Sequence, residues 1–151
     1  MDFCQPGTSF TEQAKRVLHR AREEAQHFQH ASLGTEHLLL ALVDEGEGAA
    51  KILANLGIEL HKVRNAVAFI VGYGKGNTRS EINLTSRIKS VIKLAVHEAH
   101  GLNHHEIRTE HLLLALVLEG EGIGPAILEC LGISLEDVRR QTVQVLGQSM
   151  F

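Results

Sequence analysis

Apolar positions along the chain recur at helical rather than strand spacing. Ala14, Val17, Leu18, Ala21, Ala25 and Phe28 fall at steps of three, four and seven, which predicts a helix with one apolar stripe and Thr11 as its N-cap. Ile88, Val91, Ile92, Ala95, Ala99 and Leu102 repeat that stripe further on. Two Leu-rich runs begin at Thr35 and Thr109. They are apolar nearly all round, so each is expected to be a buried central helix. Thr35 and Thr109 are expected to cap these helices, with Gly46 and Gly120 ending them in the manner of C-terminal glycines. Short helices are expected over 49–56 and 125–131, with Pro125 in a first turn and Gly57 and Gly132 as terminators. Last helices start near Glu59 and Leu135, the second capped by Ser134 with Asp137 three residues on. No stretch alternates with strand period, so the pattern predicts an all-α protein of about eight helices.

The duplication behind these matched pieces is explicit. Thr35-Glu36-His37-Leu38-Leu39-Leu40-Ala41-Leu42-Val43 recurs identically over 109–117, and Glu-Gly-Glu-Gly follows at 45–48 and at 119–122. Upstream, Thr11, Val17, Ala21, Glu24, Ala25 and His30 answer Thr85, Val91, Ala95, Glu98, Ala99 and His104. Downstream, Leu56-Gly57-Ile58 answers Leu131-Gly132-Ile133. Residues 1–151 therefore read as one domain of two four-helix units, about 10–71 and 84–147, joined by 72–83. The units should be related by a pseudo-two-fold axis, which gives any site in one a counterpart in the other.

Composition narrows the function classes. The chain has 151 residues, 44% hydrophobic and 22% charged, so a packed core is affordable and disorder is not expected. The longest apolar run, Leu112 to Leu118, is seven residues, against the roughly 20 of a membrane-spanning helix. A formal net charge of −3 and only 4% aromatic residues argue against nucleic-acid binding. Cys4 and Cys130 are too few for a disulfide framework, and the first residues lack a signal-peptide pattern, so a cytoplasmic location is expected.

Candidate chemistry is sparse. Gly72-Tyr73-Gly74-Lys75-Gly76-Asn77-Thr78 fails as a phosphate loop because Gly76, not Ser or Thr, follows the lysine, and it reads as a flexible linker. Neither a nucleophile elbow nor another enzyme signature is present, and no cofactor is implied. His97, His100 and His104 stand at i, i+3 and i+7, a pattern suited to a metal- or pH-responsive regulator. Against that, Gly101 should end the helix before His104, and the first unit has Glu23 and Gln26 opposite His97 and His100. His37 and His111 read as structural donors. The repeated acids Glu36 and Glu110 sit in the first turn of apolar helices, where a carboxylate either complements the helix dipole or accepts from a guanidinium.

Twofold Thr-Glu-His-Leu-Leu-Leu-Ala-Leu-Val with Glu-Gly-Glu-Gly resembles the double repeat of the Clp N-terminal domain, nearest to the ClpC type of AAA+ unfoldase. The likeness covers about residues 9–147. It implies a non-enzymatic docking module that receives Clp adaptors and substrate proteins for a Clp ATPase, in some members arginine-phosphorylated proteins. Carried onto this sequence, the resemblance marks Glu36 and Glu110, with Thr35, Thr109 and Arg108 beside them. Three departures stand out. Arg108 replaces the family glycine that Gly34 keeps, so a cation stands where it would strengthen phosphate binding or occupy Glu110. Thr85-Ser86-Arg87-Ile88 stands for the usual Thr-Pro-Arg-Ala, and Leu84 for an aromatic. No Walker motif fits, so the chain is expected to be either an excised N-domain or a free-standing adaptor or regulator.

Overall fold

A computed structural model describes residues 9–74 and 82–148. Cys4, most of the Gly-rich linker and the tail after Gln148 lie outside the described residues. Among the described residues eight helices follow one another: α1 (Glu12–His27), α2 (Thr35–Glu45), α3 (Gly48–Asn55), α4 (Leu60–Ile70), α5 (Ser86–Gly101), α6 (Thr109–Glu119), α7 (Ile123–Cys130) and α8 (Leu135–Gln148). The all-α reading holds. Leu38–Leu42 in α2 and Leu112, Leu113, Ala115 and Leu116 in α6 are fully buried, and the two helices are the centres of their units. Phe28, Val63, Ile88, Ile107, Ile127 and Val138 close the same core around them.

Local chemistry explains most boundaries. Thr11 and Thr85 cap α1 and α5, each hydroxyl accepting from the N–H three residues on at 3.1 Å. At the far ends of α1 and α5, Gln29 (φ 58°) and Asn103 (φ 60°) enter the left-handed region. The N–H groups of His30 and His104 then bond back to Ala25 and Ala99, at 2.9 and 2.8 Å. This Schellman closure turns both histidines inward beneath α2 and α6.

Four short strands were not legible from periodicity. β1 (Ser9–Phe10) pairs in parallel with β4 (Glu106–Ile107), and β2 (Ser32–Leu33) with β3 (Asn83–Leu84). The pairing is exchanged. The strand ahead of each unit's first helix bonds to the strand ahead of the other unit's second helix, so the start of α1 lies beside that of α6, and the start of α5 beside that of α2.

Two expected caps are corrected. Thr35 and Thr109 are the first helical residues, while Gly34 and Arg108 occupy the cap positions. Gly46 stops α2 at an ordinary φ of −75°, unlike left-handed Gly120 at 71°. The left-handed residue of the first loop is instead Glu47 (φ 45°), a strained position for a side chain with a Cβ. Pro125 sits in the first turn of α7 as its third residue.

Candidate functional site

Each central helix begins under a histidine relay. The Gly34 N–H donates to His37 Nδ1 at 2.9 Å, so His37 carries its proton on Nε2 and donates it to His30 Nδ1 at 2.7 Å. His30 Nε2–H then donates to the Gly72 carbonyl at 2.7 Å. The second unit repeats the first two links, Arg108 N–H to His111 Nδ1 at 2.8 Å and His111 to His104 at 2.8 Å. There the chain ends, since His104 Nε2 is buried with no partner among the described residues. Burial, with the neighbouring histidine adding, drives the His37 pKa down to about 3 and that of His111 to about 4. Both rings are neutral at physiological pH, and they anchor the helix starts as structural groups.

The threonines latch the units together. Thr35 Oγ1 accepts from the Gly124 N–H at 2.9 Å, at the start of α7 in the other unit. A Cβ on Gly124 would fall 2.7 Å from the Thr35 carbonyl oxygen, so glycine is required by the close approach. Thr109 Oγ1 donates to the Gly46 carbonyl at 2.6 Å and accepts from Ala49 N–H at 3.4 Å, which is the mirrored arrangement. Both hydroxyls thus bond to the opposite unit, and Thr109 Oγ1 also lies 3.1 Å from Glu110 Oε1 of its own helix.

Two related clefts result, each built across the units. The first, an open cleft of about 850 Å³, is walled by Gly34, Thr35 and Glu36 at the start of α2, Arg87 of α5 and Glu121 and Gly122 ahead of α7. The second, about 280 Å³, takes Arg108, Thr109 and Glu110 at the start of α6, Gln13 of α1 and Glu47 and Gly48 at the start of α3. Glu36 and Glu110 are 6% and 5% exposed, so both carboxylates are largely taken from water. Their surroundings nevertheless differ. A Cβ at Gly34 would run into the Glu36 carboxylate, and this bare position lets the side chain fold over its own helix start. Burial raises the Glu36 pKa, its own backbone N–H and His30 pulling the other way, and no ion pair to it is present among the described residues. Arg87 stands across this cleft, half-exposed, its Nη1 2.5 Å from Glu119 and 3.6 Å from Glu121.

In the second cleft, Arg108 Nη2 lies 2.7 Å from Glu110 Oε2. The Glu110 carboxylate leans on the other unit, where a Cβ at Gly48 would meet Oε2 at 2.5 Å. Of the two roles open to Arg108 in sequence, its side chain takes the occupation of Glu110.

The proposed metal cluster does not assemble. His97 and His100 lie exposed on α5, whereas His104 follows the helix end and turns in to His111. Among the described residues one trio does bring possible ligand atoms within 4.8 Å, namely His30, Glu36 and His37. It does not suit a metal, because a neutral His37 accepting at Nδ1 must keep its proton on Nε2. Sequence reasoning also missed buried Glu24, held by Arg64 at 2.6 Å and Arg20 at 3.4 Å. The available signal was its identity with Glu98 on a stripe of small apolar residues.

These features define a class: an all-α tandem-repeat module with two inter-repeat clefts, each formed at the start of a central helix. The chain belongs to the Clp repeat (R) N-terminal domain family, whose model matches residues 9–101 and again 83–150. It is 47% identical over 141 residues to the chaperone protein ClpB of Oceanobacillus iheyensis. Over the same length it is 45% identical to the negative regulator of genetic competence ClpC/MecB of Bacillus subtilis. Each match covers 93% of this chain but 17% of the relative's length. A ClpV N-domain solved in complex with a VipB peptide superposes with a TM-score of 0.67 at 20% identity, covering 91% of this chain and 87% of that one.

Proposed function

We propose that the chain is a non-enzymatic docking module of a Clp unfoldase system, receiving adaptors or substrate proteins in the cytoplasm, as one domain of two repeats. The observation that carries this reading is the first cleft, where a buried carboxylate without an ion-pair partner faces an arginine across open space. A ligand joining a guanidinium to an anionic group suits that pair, since Glu36 accepts from the guanidinium and Arg87 attracts the anion. Phosphoarginine on a protein chain has this chemistry, and the resemblance to ClpC-type domains points the same way. The ClpV N-domain complex supplies a peptide-binding precedent on the same fold. Among the described residues no single helix is long and apolar enough to cross a bilayer.

The test is calorimetric titration with a phosphoarginine peptide and with the same peptide carrying arginine. Saturable binding of the phosphorylated form is expected, weakened at least about tenfold in Glu36→Ala, which corresponds to about 1.4 kcal/mol. Equal binding by wild type and Glu36→Ala would overturn the assignment.

A further inference from the structure

The two clefts share one design, yet their cations stand at different places. Position 34 is glycine where position 108 is arginine, and position 13 is glutamine where position 87 is arginine. Each cleft therefore holds one arginine. In the first it belongs to the far wall and pairs with Glu119 and Glu121, leaving Glu36 unclaimed. In the second it belongs to the cap residue itself, two positions from Glu110, and reaches that carboxylate.

We infer that Arg108 is a resident ligand of the second cleft: its guanidinium occupies Glu110, so the domain offers one open docking cleft instead of two. This rests on the reading of Glu36 as a guanidinium acceptor. An incoming guanidinium would have to displace an ion pair built into the backbone, whose effective concentration no free peptide matches. The vacated Arg108 would also lose its partner while the ligand gained one, so the exchange brings little net attraction. Space points the same way, about 280 Å³ against about 850 Å³ in the first cleft. The opposite wall offers no second cation, because Gln13 stands where Arg87 would be. Arg108 is thus a specificity-determining residue that keeps the Glu110 carboxylate from an incoming guanidinium.

Arg108→Gly restores the first unit's residue, and glycine is well tolerated at a helix cap. Its backbone N–H still serves His111, so the relay is kept. The titration uses a phosphoarginine peptide against wild type, Glu36→Ala, Gln13→Arg, which supplies the far-wall cation, Gln13→Arg/Arg108→Gly and Glu36→Ala/Gln13→Arg/Arg108→Gly, with circular dichroism to establish folding. Arg108→Met, which keeps the side-chain bulk and removes the charge, replaces the glycine variant if that one unfolds. Expected are one site in wild type and in Gln13→Arg, two in Gln13→Arg/Arg108→Gly, and one in Glu36→Ala/Gln13→Arg/Arg108→Gly that Glu110→Ala then abolishes. Wild type binding once through Glu36 while Glu36→Ala/Gln13→Arg/Arg108→Gly stays inert would overturn the role of Arg108 and leave the docking function standing. Wild type binding two peptides would overturn it as well. Absence of any Glu36-dependent binding would overturn both readings together.

Discussion

Lowering the pH from 6.5 toward 4 is expected to remove on the order of 5 kcal/mol from the free energy of unfolding. His37 and His111 are 1% and 0% exposed and titrate near 3 and 4 in the folded protein. In the unfolded chain each takes up its proton near 6.5. Below that value the unfolded state binds more protons, so stability present above pH 6.5 is lost as pH falls toward the folded pKa values. Each pH unit traversed by one such histidine is worth about 1.4 kcal/mol, and two act together. The raised Glu36 carboxyl works in the opposite direction, since the folded state then takes that proton first, and it offsets part of the loss at the acidic end. Urea unfolding followed by circular dichroism at several pH values between 7.5 and 4 reads the slope. A midpoint indifferent to pH in that window would contradict the neutral, buried relay.

Truncating the central helices should be comparably damaging. Leu39 and Leu113 are fully buried equivalents in α2 and α6, inside the one hydrophobic core that both units share. Leu39→Ala or Leu113→Ala removes buried methyl groups and leaves a cavity that a close-packed core fills incompletely, at a cost of about 2–5 kcal/mol each. Leu118, 41% exposed at the end of α6, serves as the control, with an expected change below about 1 kcal/mol. Thermal unfolding of the three variants distinguishes the cases. A Leu118→Ala loss matching that of Leu113→Ala would mean that the burial pattern of α6 is wrong.

Periodicity and duplication made most of the helical frame legible, because the apolar stripe of a helix is written within a few turns of chain. The Thr11 cap and the ending of α5 at Gly101 are local in the same sense. What escaped is what depends on the other unit. Thr35 and Thr109 look like caps to their own helices, yet their hydroxyls bond to Gly124 and Gly46, residues 89 and 63 positions away. Exchanged strand pairs two residues long leave no alternation to detect. His104 counted as a neighbour of His97 and His100 along the chain, but the left-handed turn at Asn103 sends it to His111 instead. Glu36 and Glu110 were identifiable as a pair from the repeat. Their inequality needed coordinates, since an arginine beside a carboxylate in sequence can face either toward it or away.

The central claim is that ligands dock where α2 begins, beneath the far wall formed by α5 and α7. Amide chemical-shift mapping of the 15N-labelled domain during titration with a phosphoarginine peptide tests it most directly. The expected result is saturable shifts concentrated at Gly34, Glu36, Arg87, Gly122 and Gly124, with the equivalent amides around Arg108, Glu110 and Gly48 unmoved. Shifts confined to other surfaces, or spread equally over both clefts, would contradict it.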